Sequence, residues 1–149
     1  MSKKMEVAKA WAAAVAPDID IDAAANLLSD DFQNLDQDGK VALTKEGILN
    51  LGRMMKAAFT NYGFALTKLS EKAEYIIITG HNEGIHTADL DLRGMGLGIL
   101  PASGRKIEWP EASAKLTISG DKITRLEPYT GTAGLKAFLS ALGIEILPD

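Results

Sequence analysis

The two histidines of this chain, His81 and His86, lie inside a glycine-rich stretch that runs from Gly80 to Trp109. A strand-like run precedes the stretch and another follows it, and binding and catalysis tend to collect in loops carried by rigid strands. Histidine titrates near neutral pH, so His86 can remove an acidic proton or, when neutral, donate a hydrogen bond to a carbonyl. The alternative is a structural histidine bonded to a loop carbonyl.

Other patterns in the stretch carry less chemistry. His81 and His86 differ in strand parity, so we expect them on opposite faces of a strand, which is poor geometry for a shared metal ion. The run Gly94-Met-Gly96-Leu-Gly98 precedes no helix pattern and is incomplete as a phosphate-binding loop. We therefore predict neither metal nor cofactor, and we interpret residues 91–104 as a mobile flap or a subunit contact.

The composition excludes several classes of function. The chain has 149 residues, of which 46% are hydrophobic and 24% charged, and its net charge is -4. Without a basic stripe it lacks the electrostatic signature of a nucleic-acid-binding protein. The absence of cysteine fits a reducing compartment, and no apolar run reaches the length of about 20 residues that a membrane helix needs. The sequence predicts one cytoplasmic domain over residues 1–149.

Helical patterns come first in the chain and strand patterns follow. Apolar spacing predicts a helix over 3–16, capped by Ser2, a short second helix, and a third over 45–61, capped by Thr44. Strands are predicted at 32–35, 64–69, 75–79, 105–118 and 122–129, before a closing helix that contains Leu135, Phe138, Leu139 and Leu142. This order indicates an α+β fold rather than a βαβ repeat.

Four short motifs resemble those of a known family. Leu28–Asn34 (LSDDFQN) matches Leu-x-Asp-Asp-Phe-x-Asn, and Gly84–Thr87 (GIHT) is similar to Gly-Thr-His-Thr. Pro101–Arg105 (PASGR) is close to Pro-Pro-Thr-Gly-Arg, and Gly120–Ile123 (GDKI) to a Gly-Lys-Ile turn. Over essentially its whole length the chain resembles the SnoaL-like polyketide cyclase family of the nuclear transport factor 2-like superfamily. The resemblance implies a cone-shaped α+β fold, in which a strongly curved mixed or antiparallel sheet packs on three or four helices around a pocket.

The resemblance implies a cofactor-free aldol ring closure, with an Asp as acid/base and an assisting His. This chain departs from that pattern at both positions. No Asp stands between Asp121 and Asp149, Glu127-Pro128 replaces the family's Trp-Asp pair, and Ala114 stands where the assisting His is found. Alternation along the strand places Glu127 on the face opposite Leu126.

His86 matches the family's strand histidine and is our candidate catalytic residue. Asn34 matches a position near the family's pocket, where it would bond a substrate carbonyl; the alternative is a turn-forming Asn. The predicted substrate-binding residues are Asn34, Phe59, Ala112, Ala114 and Leu126.

These residues leave three functions open. The first is a cyclase- or isomerase-like enzyme that acts on a small hydrophobic carbonyl compound without a cofactor. The second is a pocket that binds an apolar ligand without catalysis, and the third is a dimerisation module. Because members of the superfamily commonly dimerise through the outer face of the sheet, we also predict a homodimer with Trp109 on that face.

Overall fold

The computed structural model describes residues 2–131 and 135–143. Its α-helices are α1 (Lys3–Ala14), α2 (Ile21–Leu27), α3 (Lys45–Ala58) and α4 (Leu135–Ala141). Its strands are β1 (Leu28–Leu35), β2 (Val41–Thr44), β3 (Phe59–Glu71), β4 (Ile76–His86), β5 (Leu90–Asp91), β6 (Ile99–Leu100), β7 (Lys106–Glu108), β8 (Ala112–Ser119) and β9 (Lys122–Gly131). A short 3₁₀ turn, Arg93–Met95, lies between β5 and β6.

One sheet of seven strands forms the body of the fold. Its strand order is β2-β1-β9-β8-β4-β3, and β7 pairs with β4 beside β8. The pairing of β1 with β9 is parallel and the other pairings are antiparallel. Helices α1 and α3 pack on one face of this sheet: α1 contacts β3, β4 and β8, and α3 contacts β1 and β3. The predicted α+β class is confirmed, and of the two sheet types left open the structure has the mixed one.

The long strand β3 bends where its pairing with β4 shifts register. One shift lies between Thr60 and Gly63, around Asn61, whose φ of 56° is the left-handed conformation that Asn tolerates better than most residues. Gly63 lies against the segment between α1 and α2, where a Cβ would come within 2.4 Å of the Ala16 carbonyl. The bend and this close approach bring the helices over one face of the sheet.

The helix starts agree with the sequence, and the helix ends differ. Ser2 Oγ accepts a hydrogen bond from Met5 N at 3.1 Å, and Thr44 Oγ1 accepts one from Gly47 N at 3.2 Å, so both predicted caps are confirmed. Helix α3 ends at Ala58 instead of residue 61, because Phe59 pairs with His86 in the sheet. Pairing across strands overrides the helical periodicity that continues to this point.

The predicted strand over 105–118 is wrong in its continuity. Trp109, Pro110 and Glu111 separate β7 from β8, since a proline has no N–H to donate to the ladder. This interruption turns Trp109 into the core, where it is 5% exposed. The prediction that Trp109 lies on an outer dimer face is therefore wrong.

The segment that we interpreted as a flap is a small hairpin. Strands β5 and β6 pair with each other, and Leu90 and Leu92 are buried in the main core. Arg93 donates from Nε and Nη2 to the Asp91 carboxylate at 2.9 and 2.8 Å, which lowers the pKa of Asp91 to about 2. The hairpin is thus anchored at its base; its mobility remains a prediction.

No helix in the described ranges is both long and apolar enough to cross a membrane.

Candidate functional site

A cavity of about 240 Å³, partly open to solvent, lies between the helices and the inner face of the main sheet. Helices contribute apolar side chains to its wall, among them Trp11, Ile48 and Leu51. The segment between α1 and α2 adds Val15 and Ile19. The sheet contributes Gly80, against which the ring of Phe64 packs, and the small residues Ala112 and Ala114, which leave room where larger side chains would fill the cone.

Four of the predicted substrate-binding residues belong to this wall: Asn34, Ala112, Ala114 and Leu126. Asn34 shares the inner face of β1 with Phe32, which is 2% exposed, and it pairs with Leu126 of β9. On β8, Ala112 and Ala114 have the parity of the buried Leu116, so their side chains point to the same face. The alternation of side chains along a strand was enough to predict which face of the sheet these residues occupy.

Phe59 and His86 lie elsewhere: within the described ranges, neither is part of the cavity wall. Their rings stack on each other, with centroids 4.6 Å apart and planes 9° from parallel. Phe59 also contacts Tyr62 and Trp109, whose ring centroids lie 6.0 and 5.8 Å from its own. Tyr62 and Trp109 line the cavity. Together with Phe59 they form an aromatic layer that separates His86 from the cavity.

His86 is 1% exposed and sits under the loop that leads into β7. Its backbone N donates to Arg105 O at 2.9 Å, and its backbone O accepts from Gly104 N at 2.8 Å. Its Nδ1 lies 3.5 Å from Ser103 Oγ, and its Nε2 has no hydrogen-bond partner among the described residues. The polar neighbour of the ring is a loop hydroxyl and not the loop carbonyl of the structural alternative, and a catalytic role for the ring remains a prediction.

Three polar side chains in the wall make no hydrogen bond to any described residue: Asn34 of β1, Tyr62 of β3 and Asn82 of β4. Tyr62 is buried, and burial raises the pKa of its hydroxyl, which therefore stays protonated and able to donate. Tyr62 and Asn82 were not predicted from the sequence. Asn82 has the strand parity of the buried Ile76 and Ile78, so alternation along β4 was the signal that could have identified it.

Other polar side chains of the wall already have protein partners. Trp109 Nε1 donates to the Phe138 carbonyl at 2.9 Å, and the two rings stack with centroids 4.9 Å apart. The hydroxyls of Ser113 and Thr79 bond each other at 2.7 Å. His81 Nε2 lies 3.2 Å from Glu83 Oε1 in a charged network that continues to Lys106. These polar side chains are held in place by bonds to the protein itself.

No Asp, Glu, Lys or Arg is found among the described residues that line the cavity. Glu127 pairs with Lys115 of β8, while its neighbour Leu126 pairs with the buried Leu116. The prediction that Glu127 faces away from Leu126 is confirmed. In the part of the chain that the structure describes, no group of three His, Asp or Glu side chains forms a metal-binding cluster.

Solved structures share this architecture. A protein from Jannaschia sp. CCS1, provisionally named a SnoaL-like polyketide cyclase, superposes with a TM-score of 0.66 at 10% identity, over 85% of this chain and 84% of that chain. A provisionally named polyketide cyclase from Pseudomonas putida KT2440 superposes with a TM-score of 0.65 at 22% identity, over 88% and 92%. The chain has the nuclear transport factor 2-like fold.

A third relative, from Catenulispora acidiphila DSM 44928, has a ketosteroid isomerase-like fold and was crystallised with trimethylamine. It superposes with a TM-score of 0.62 at 19% identity, over 93% of each chain. No protein-family model matches this chain, and no curated protein matches its sequence. The cone fold and the structural similarity to SnoaL-like cyclases, both expected from the motifs, are thereby confirmed, while ligand and chemistry have to be argued from the cavity.

Proposed function

We propose that this protein binds a small hydrophobic carbonyl compound in the cone cavity, without a cofactor. The observation that carries the proposal is an apolar cavity of about 240 Å³ whose wall includes hydrogen-bonding side chains with no described protein partner. An apolar cavity of about 150 Å³ holds benzene in another protein, so this one suits a compound of one or two rings. The side-chain amide of Asn34 or Asn82 can donate to its carbonyl oxygen.

Binding is favoured here over proton-transfer catalysis. Aldol or isomerase chemistry needs a group that removes a proton next to a carbonyl and returns one to the product. The described wall contains no carboxylate, its one imidazole, that of His81, lies 3.2 Å from Glu83 Oε1, and His86 lies behind the ring of Phe59. A cyclase- or isomerase-like activity that uses His86 therefore needs a rearrangement of that aromatic layer, and such a role for His86 remains a prediction.

The test is calorimetric titration with a two-ring ketone such as 1-tetralone, with tryptophan fluorescence as a second signal. Both tryptophans of the chain line the cavity, so a bound ligand should change their emission. Ala114→Phe places a ring in the cavity and should weaken binding at least about tenfold, roughly the effect of losing 1.4 kcal/mol. Ala57→Phe places the same ring on the exposed side of α3 and serves as the matched control.

Saturable binding by the wild type and Ala57→Phe, lost in Ala114→Phe, is the expected result. No saturable binding by the wild type, or equal binding by all three proteins, would show that the cavity does not hold such compounds.

We also propose a homodimer formed through the outer face of the sheet. Lys115 Nζ lies over the ring of Tyr75, 5.1 Å from its centroid. The centroid of the Tyr129 ring is 6.0 Å from the same atom, and Tyr129 is 46% exposed. Light scattering should give the mass of a dimer for the wild type and of a monomer for Tyr129→Arg, which adds a like charge beside Lys115.

A cytoplasmic location, expected from the cysteine-free composition, likewise stays a proposal.

A further inference from the structure

The polar groups that the cavity wall offers to a ligand are all uncharged. Asn34, Tyr62 and Asn82 come from three different strands, and none of their side chains bonds a described residue. Each of the two amides provides both a donor and an acceptor, and the hydroxyl of Tyr62 stays protonated because burial raises its pKa. A ligand with neutral donors and acceptors can pair with these groups without bringing a charge into the cavity.

The charges nearest to the wall are already paired. His81 is the one residue of the described wall whose side chain can become cationic, and its Nε2 lies 3.2 Å from Glu83 Oε1. Glu83 also faces Lys106, whose Nζ is 3.7 Å from Glu83 Oε2 and 3.1 Å from Glu108 Oε1. A carboxylate ligand would therefore compete with Glu83 for His81, and it would find no other cationic side chain in the described wall.

A cationic ligand would also find few groups in the wall that can stabilise its charge. Within the described ranges the wall holds no carboxylate, so an ammonium group would depend on the faces of aromatic rings. The ring of Trp109 is stacked on Phe138 with planes 5° from parallel, and the ring of Tyr62 meets that of Trp109 edge-on, with planes at 79°. These three rings already pack on one another, which leaves the rings of Trp11 and Phe64 for an ammonium group. A cation–π contact contributes about 0.5–2 kcal/mol and does not replace the hydration that a buried cation loses.

We propose that the cavity selects uncharged ligands, and that Asn34, Tyr62 and Asn82 form hydrogen bonds with the polar groups of these ligands. The expected ligand class is a one- or two-ring compound with an amide, ketone or hydroxyl group, rather than the corresponding acid or amine. An ion transferred from water into an apolar cavity loses its hydration, and the described wall offers it no opposite charge that is not already paired. This inference rests on the proposed function and adds the chemical class of the ligand.

Four compounds with the same naphthalene body test the inference at pH 7: 2-methylnaphthalene, 2-naphthamide, 2-naphthoate and 2-naphthylmethylammonium. Calorimetry with the wild type should show binding of the amide, and binding of both ions should be at least about tenfold weaker, since burying an unpaired charge is costly. The hydrocarbon serves as the apolar reference, because its affinity depends on the cavity and not on the polar residues.

Variants then identify the residues responsible. Asn82→Leu, Asn34→Leu and Tyr62→Phe keep side chains of similar size and remove a polar group, and near-UV circular dichroism checks that each variant is folded. At least one of them should weaken amide binding about fivefold or more, the effect of one lost hydrogen bond, and should not weaken the binding of 2-methylnaphthalene. Thr117→Val, which removes a hydroxyl from the outer face of the sheet, is the matched control and should change neither affinity.

The outcomes separate this inference from the proposed function. If none of the four compounds binds, the cavity is not a ligand site and both are overturned. If 2-methylnaphthalene binds but either ion binds as tightly as the amide, the proposed function stands and the selection of uncharged ligands is overturned. If the amide binds more tightly than both ions but none of the three variants alters its affinity, the assignment of Asn34, Tyr62 and Asn82 as the residues that bond its polar group is overturned.

Discussion

Gly63 offers a sharp test of how the wall of the cavity is held in place. A Cβ at this position would lie 2.4 Å from both the carbonyl carbon and oxygen of Ala16 and 2.5 Å from Cα of Pro17. These neighbours are backbone atoms, so they cannot turn aside as the end of a side chain does. The substitution Gly63→Ala therefore has to push residues 15–19 away from β3.

The magnitude follows from what holds that segment. Asp18 N and Ile19 N both donate to Tyr62 O, at 2.9 and 3.1 Å, and Phe64 N donates to Val15 O at 2.6 Å. Losing two such bonds costs about 2 kcal/mol at about 1 kcal/mol each, and overpacking adds about 1–3 kcal/mol. We expect the free energy of unfolding to fall by about 3–5 kcal/mol, from a total of about 5–15 kcal/mol for a typical domain.

Urea unfolding followed by far-UV circular dichroism measures this change. Gly94→Ala is the matched control, because no atom lies within 4 Å of the position that its Cβ would take and its φ is not positive. Its effect should stay within about 1 kcal/mol. Because Val15 and Ile19 belong to the cavity wall, Gly63→Ala should also weaken ligand binding. A loss of stability below about 1 kcal/mol would show that residues 15–19 can shift freely, which contradicts the reasoning.

Three further substitutions test the aromatic layer. Burial raises the pKa of Tyr62, so above about pH 10 the unfolded chain loses this proton first and stability falls with pH; Tyr62→Phe should flatten that slope in urea titrations at pH 9 and 11, and equal slopes would contradict it. Trp109→Phe loses the bond to the Phe138 carbonyl and should cost about 1–2 kcal/mol more than Trp11→Phe in urea unfolding. His86→Leu removes the unpaired Nε2 together with the stack on Phe59 and should lower stability by no more than about 1.5 kcal/mol, whereas a larger loss would contradict the absence of a strong hydrogen bond to that ring.

Local patterns predicted much of the fold. Ser2 and Thr44 cap their helices because a side-chain oxygen satisfies a free N–H of the first turn, which is a property of a few consecutive residues. The facing of Asn34, Ala114 and Leu126 follows from alternation along single strands. These features could be predicted because each depends on neighbours in the chain.

The composition of the site required contacts between distant segments. Trp109 was predicted on the outside, yet it packs in the core, stacked on Phe138 and 5.8 Å from Phe59 between ring centroids. His86 has the strand parity of the inner face, but its depth behind Phe59 depends on how β3 and β4 pair. Periodicity gives the face of a strand and says nothing about which side chains stand between a residue and the cavity.

The sequence by itself therefore determined the class of fold, the helix starts, the side of the sheet to which most wall residues point, and the absence of an Asp between Asp121 and Asp149. The tertiary structure decided which polar groups have protein partners. It left Asn34, Tyr62 and Asn82 unpaired in the described wall and enclosed His86. The physical reason is that hydrogen-bond satisfaction and burial depend on atoms brought together by sheet pairing and helix packing, and the spacing of residues along one strand does not contain that information.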